Sequence, residues 1–270
     1  YEGSYADFLG LTPSAWLSFE GFEQADEVTL SPVSQPERTL RDLSPTQRLE
    51  PGLYRLRWSI NARHLEWLIS LSPLTERTFN LLTPRQVEGW SFVPSGESWV
   101  GSSRAQFGER ALHRVSLDAY EVSERLVSVA EYTQFLEHLS PDQTTLRAPL
   151  AHPTSVTHAH LTPVTGVSVE DALAYTSWRA QALEGARLLR ADEWERAMRG
   201  ESQAERVDPH QAVLLADAHT GGGELCVSGE GFVLKGGAWS FGVIASQQEL
   251  SSQVKYPGVG FRLARSLSSL

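Results

Sequence analysis

The chain has 270 residues, 41% of them apolar, 9% aromatic and 21% charged, with a formal net charge of −10. This length accommodates one large domain, or a medium domain with a small one, and it is long enough for a buried core. The acidic balance excludes a general nucleic-acid or anionic-membrane binder, which needs clustered Lys and Arg. No apolar run approaches the ~20 residues of a membrane-crossing helix, so no membrane insertion by this segment is expected.

The chain opens at Tyr1 without the basic start, apolar middle and small-residue cleavage site of a secretory leader, the pattern expected of a cut in a longer protein. Residues 1–85 have β character: short apolar stretches alternate with Pro, Ser and Gly punctuation. The strand candidates are Ala15-Trp16-Leu17-Ser18-Phe19, Val28-Thr29-Leu30, Leu53 to Trp58 and Leu65-Glu66-Trp67-Leu68-Ile69. Leu53 to Trp58 alternates cleanly, which predicts one buried and one solvated face. Pro51-Gly52 reads as the turn that feeds it. We expect a small all-β domain of the sandwich kind over 1–85.

Around Thr83-Pro84-Arg85-Gln86 the texture changes, and a second domain is expected over 86–270. Trp90 to Val93, Pro94-Ser95-Gly96 and the run to Val100 read as a hairpin. Val115 to Val122 is a further strand candidate. Ser128-Val129-Ala130-Glu131 is a capping box that opens a helix with Tyr132, Phe135, Leu136 and Leu139 on one face, ending at Ser140-Pro141. Ser168-Val169-Glu170-Asp171 is a similar box and opens a helix from Ala172 to Leu183, with Gly185 at its far end. A short third helix is predicted from Asp192 to Met198.

Residues 201–231 are polar, Gly-rich and without a clear period, so they read as loop. Cys226 is the only cysteine, which excludes an internal disulfide and a cysteine metal cage. It leaves the compartment open, since a disulfide-free chain suits cytosol or periplasm. From Gly231 the pattern alternates again, through Phe232-Val233-Leu234, Gly236-Gly237-Ala238-Trp239 and Gly258-Val259-Gly260-Phe261-Arg262-Leu263.

Residues 88–265 carry an ordered set of pieces. They are Glu88-Gly89-Trp90-Ser91-Phe92-Val93-Pro94-Ser95-Gly96 with Val100-Gly101-Ser102, Arg114 to Tyr120, and Val127 to Leu136. After these come Pro163 to Ala172 with Tyr175 and Trp178, Arg187-Leu188 with Asp192-Glu193-Trp194-Glu195-Arg196-Ala197, Gly236-Gly237-Ala238-Trp239, and Gly260 to Ala264. In this order they resemble the formylglycine-generating-enzyme (sulfatase-modifying-factor) family. The resemblance implies an irregular α+β fold of C-type-lectin-like type, here behind the small N-terminal all-β domain. A β domain with the Leu49-x-Pro51-Gly52-x-Tyr54 turn in front of such a module is similar to bacterial Ser/Thr kinases that end in one. An upstream kinase domain in the same chain, and a periplasmic or extracytoplasmic position rather than a cytoplasmic one, are therefore expectations.

Catalytic members of that family oxidise a substrate cysteine to formylglycine with two cysteines that bind Cu(I) after the Gly-Gly-x-Trp motif, thiolate being the soft ligand Cu(I) prefers. Ser240 to Tyr256 contains no cysteine, and Cys226 precedes the motif. No catalytic residue, no metal site and no cofactor are therefore predicted, and Cys226 reads as a buried small hydrophobe. The resemblance also implies oxygen ligands for Ca²⁺ between Arg199 and Phe232. Only Asp217 and Glu224 supply acids in the core of that stretch, so family-type Ca²⁺ sites are not expected. The family's Pro-Thr before the Glu-Trp helix is Leu189-Arg190 here, which removes its usual N-cap.

Other constellations are weaker. His152, His158 and His160 have no evident acid partner and read as solvated loop. Glu193 and Glu195 could form an acid–base pair, but in the family this motif is structural, with Arg187 and Arg262 as partners. Gly221-Gly222-Gly223 lacks the Lys-Ser/Thr of a phosphate loop.

The reading is a non-catalytic binding or sensory module of a bacterial signalling or regulatory protein, its partner an unidentified protein or small molecule. Candidate ligand contacts on the loop-rich face are Trp239, Phe241, Gln247 and Tyr256. One alternative is the variable ligand-binding protein of a diversity-generating retroelement, which uses this scaffold and diversifies the same segment. Gln247, Gln248, Glu249, Gln253 and Lys255 disfavour it, since adenine mutagenesis of AAC codons cannot yield them. The remaining alternative is an active copper-dependent formylglycine-generating oxidase.

Overall fold

A computed structural model of the chain describes residues 14–60, 63–81, 89–103, 105, 109–150, 159–201, 222–229, 231–236, 244 and 246–267. The backbone divides into two compact units: Tyr1–Arg85 with Gly200–Ser202, and Gln86–Arg199 with Gln203–Leu270.

The described part of the first unit is β-structure with one 3-10 turn at Phe22–Gln24. Its strands are β1 (Ala15–Glu20), β2 (Glu27–Pro32), β3 (Thr46–Leu49), β4 (Gly52–Ile60), β5 (Arg63–Leu71) and β6 (Glu76–Asn80). They form two sheets, β3-β1-β6 and β2-β4-β5. The alternation read in β4 is real: Tyr54, Leu56 and Trp58 are buried, while Arg57 on the other face meets Glu66 of β5. Trp58 joins the sheets, packing edge-on to Phe79 of β6 at 5.6 Å and donating from Nε1 to the Leu81 carbonyl at 3.1 Å. Glu201, counted with this unit, accepts from Ser70 N (3.1 Å) and Trp67 Nε1 (3.4 Å) and forms a two-oxygen ion pair with Arg77.

The second unit mixes helices and small sheets. Its strands are β7 (Trp90–Val93), β8 (Gly96–Val100), β9 (His113–Leu117), β10 (Tyr120–Ser123), β11 (Ala186–Leu188), β12 (Gly223–Ser228), β13 (Gly231–Lys235), β14 (Gln248–Glu249), β15 (Val259–Gly260) and β16 (Leu263–Ser266). Its helices are α1 (Val129–Glu137), α2 (Pro141–Arg147), α3 (Val169–Arg179) and α4 (Ala191–Arg199). The sheets run β11-β16-β10-β7, β14-β13-β12-β15 and β8-β9. Both capping boxes form as read. Ser128 Oγ accepts from Glu131 N while Glu131 reaches back to Ser128 N, and Ser168 and Asp171 repeat the exchange at α3. The core lies between α1, α3 and the closing strands, where Tyr132, Phe135, Tyr175 and Phe261 interlock at centroid separations of 5.4 to 6.4 Å.

Several local expectations are corrected. β7 and β8 are consecutive but do not pair: β7 pairs with β10 and β8 with β9. The cause is Arg196, fully buried, whose guanidinium donates to Pro94 O (3.1 and 2.7 Å) and Glu97 O (2.8 Å), so a charged fork fills the corner that a hairpin turn would close. The predicted strand from Val115 to Val122 is interrupted at Asp118-Ala119, and its halves enter different sheets. Ser140-Pro141 ends α1 but also starts α2, with Pro at its first position, where its missing N–H costs nothing. Within the stretch read as loop, residues 223–228 form β12.

Candidate functional site

The predicted ligand face lies between the end of β13 and the start of β15. Trp239 and Phe241 lie outside the described residues. Gln247 is half-buried directly before β14, and its side-chain oxygen is buried without a hydrogen-bond partner. Tyr256 is half-buried against the core, and its hydroxyl accepts from Ser251 N at 3.2 Å. Of the three clustered histidines, His152 and His158 lie outside the described residues and His160 is exposed.

A buried ionic lattice lies at the end of β13. Lys235, the last residue of β13, is fully buried. Its ammonium donates to Glu195 Oε1 at 2.8 Å and to the Ile244 carbonyl at 2.8 Å, and it sits 5.4 Å from the centre of the Trp194 ring. One side chain thus ties β13 to residue 244. Burial lowers the Lys235 pKa, and the Glu195 carboxylate opposes that shift.

Glu195 itself accepts from Arg199 Nη2 at 2.8 Å and from Gly101 N at 2.9 Å. Gly101 is obligatory at that contact: its φ is +91°, and a Cβ there would lie 2.4 Å from Ala111 O. Two residues earlier, Glu193 takes both arms of Arg187 at 2.7 Å and also accepts from Arg190 N at 3.0 Å. The two acids of the Glu-Trp-Glu motif are thus fully engaged in structural bonds, which leaves neither as a free acid or base. The Glu193 contact also supplies half of a capping box at α4, although Arg190 itself has no oxygen to complete it.

The thiol is sealed. Cys226 lies fully buried in β12, and burial, reinforced by Glu224, pushes its pKa well above that of an ordinary thiol, so it stays protonated. Glu224 gives both oxygens to Arg262, at 2.5 and 2.9 Å. The Glu224 carboxylate is thereby engaged by a guanidinium and not free for a cation, and Asp217 lies outside the described residues. Among the described residues no cluster of three or more His, Cys, Asp or Glu is placed to hold a metal. A two-thiolate copper centre does not fit this chain, which has one sulfhydryl, protonated and inaccessible.

Lys235 was the residue not singled out from sequence. The available signal was a lysine, one of only Lys235 and Lys255 in the chain, closing the apolar run Phe232-Val233-Leu234.

The sulfatase-modifying factor enzyme 1-like domain matches residues 78–221, more than half of the chain. The chain belongs to that family. No curated protein sequence matches it. Among solved structures, variable protein 1 of Treponema denticola superposes with a TM-score of 0.51 at 15% identity, covering 77% of this chain and 98% of that one. PvdO from Pseudomonas aeruginosa gives 0.51 at 16% identity, covering 66% of this chain and 94% of its own. These likenesses establish the α+β, C-type-lectin-like fold of the formylglycine-generating-enzyme type. Within that family the present domain is degenerate: the Glu-Trp helix and the Gly-Phe-Arg strand persist, while the sulfur pair is missing.

Proposed function

We propose that this family member is a non-catalytic binding or sensory module that belongs to a bacterial signalling or regulatory protein. The observation that carries the reading is the state of Cys226: one thiol, fully buried and held protonated, with no second sulfur between Ser240 and Tyr256. Oxidation of a substrate cysteine by the family's route needs two thiolates on one Cu(I), and a single buried thiol cannot supply them. The Glu195–Lys235 lattice ties the end of β13 to residue 244, and loops carried by a rigid scaffold are common binding surfaces. Trp239, Phe241, Gln247 and Tyr256 are the candidate contacts.

The likeness to the Treponema variable protein is one of scaffold. The retroelement reading is disfavoured by Gln247, Gln248, Glu249, Gln253 and Lys255 in the segment it would diversify. Among the described residues no helix is long and apolar enough to cross a membrane. A periplasmic or extracytoplasmic setting, with a kinase domain upstream, fits a sensory role.

A competition titration with a colorimetric Cu(I) chelator tests this reading. The protein is expected to withdraw no stoichiometric copper from the chelator, and the Cys226→Ser variant to behave identically. Withdrawal of one Cu(I) per chain would overturn it.

A further inference from the structure

A cleft of about 460 Å³ opens in the second unit. It lies where β10 turns into α1. Trp90, Leu126, Val127, Ala130 and Leu263 supply its apolar lining, and Arg125, Arg179, Gln134 and His160 are among its polar lining. Its volume falls in the range of small-molecule sites, ~300–1,000 Å³.

The backbone under Arg125 is fixed from several directions. Ser123 Oγ donates to Arg125 O at 2.9 Å, Arg262 donates to Ser123 O at 2.9 Å and to Glu124 O at 3.1 Å, and Val127 N donates to Phe261 O at 2.9 Å. Among the described residues the Arg125 guanidinium nevertheless has neither a hydrogen bond nor an ion pair, and the same is true of Arg179 at the end of α3. The acids that line the cleft are engaged elsewhere. Glu131 Oε2 accepts from Ser128 N (2.8 Å) and Ser128 Oγ (2.7 Å), and Glu124 Oε1 accepts from Ser91 Oγ (3.3 Å). Two planar forks with all their donors unspent, set on one apolar-lined cleft, suit a planar or tetrahedral oxyanion. The nearby carboxylates limit the charge such a ligand can carry, which favours a single anionic group on an apolar body.

We propose that this cleft is a second ligand site, which binds a small organic molecule through one oxyanion group, carboxylate or phosphate, clasped by Arg125 and Arg179. The inference does not depend on the loss of catalysis or on the 236–258 segment.

The test is calorimetric titration of the full chain with phenylacetate, phenyl phosphate and uncharged phenylacetamide. Saturable binding of at least one anion below about 10 mM, with phenylacetamide silent, is expected. The stronger of the two anions identifies the oxyanion source. Arg125→Gln and Arg179→Gln should each weaken binding by about tenfold, with Arg179→Lys falling between. Arg190→Gln, outside the cleft, should change nothing. Both guanidinium heads lack folded-state bonds, so each variant should melt as the parent does. Binding of the amide as tight as the anions, no saturation by either anion, or parent-like affinity in the folded double Gln variant would each overturn the site.

Discussion

Lys235 Nζ lies 2.8 Å from Glu195 Oε1, and both side chains are fully buried. Burying two charges is expensive, and their attraction compensates only when every remaining donor and acceptor is satisfied. Here Glu195 gains further donors in Arg199 and Gly101 N, and Lys235 a second acceptor in Ile244 O, with the Trp194 ring 5.4 Å from its ammonium.

The arrangement makes the pair asymmetric. Replacing Lys235 by Met leaves Glu195 with Arg199 and Gly101 N, whereas replacing Glu195 by Gln strips a charge from both Lys235 and Arg199. Glu195→Gln should therefore cost about 3–5 kcal/mol and Lys235→Met less, in denaturant unfolding of the whole chain. An equal or larger loss for Lys235→Met would contradict the hierarchy.

At α4 the cap is half built. Glu193 already accepts from Arg190 N at 3.0 Å, but position 190 lacks an acceptor oxygen. Arg190→Thr should complete the exchange and stabilise the protein by about 1 kcal/mol, read as a raised melting temperature. No gain, or a loss, would show that Arg190 does something besides cap the helix.

Four buried tyrosines make the protein sensitive to alkali. Burial, with acidic neighbours contributing, raises the pKa of Tyr54, Tyr120, Tyr132 and Tyr175 above 10.0. For a group with a raised folded-state pKa, the native state holds the proton more tightly, so its contribution to stability is complete below pH ~10 and is lost as pH climbs through the folded value. Absorbance titration at the phenolate band should show these tyrosines ionising in step with loss of near-UV circular dichroism. Ionisation near pH 10 with tertiary structure intact would argue against their burial.

Cys226 should resist thiol reagents in the native state and react fully on unfolding. Labelling at a rate close to that of a free thiol, without denaturant, would place it at an accessible surface.

What was legible in the sequence follows from how local each cause is. The capping boxes at Ser128 and Ser168 involve residues three apart, and the alternation from Leu53 to Trp58 is written in consecutive positions, so both were read directly. The supposed hairpin at 90–100 was misread because its corner is filled by Arg196, about a hundred residues away. Helix α2 hid behind Ser140-Pro141, a pair that signals an end and a beginning with the same residues. Lys235 was passed over because lysine at a strand end ordinarily points to water, and only Glu195, forty residues earlier, makes its burial tolerable. The cleft at Arg125 and Arg179 joins β7, β10, α1, α3 and β16, and no spacing in the sequence announces it. The loss of the sulfur pair, by contrast, needed only a count of cysteines.

The central claim is that this scaffold binds but does not oxidise. Incubating the purified chain with Cu(I), oxygen and a Cys-containing sulfatase-type peptide, and counting aldehyde by hydrazine capture and mass spectrometry, tests it directly. The account predicts no aldehyde above the copper-only control; repeated turnover per chain would contradict it.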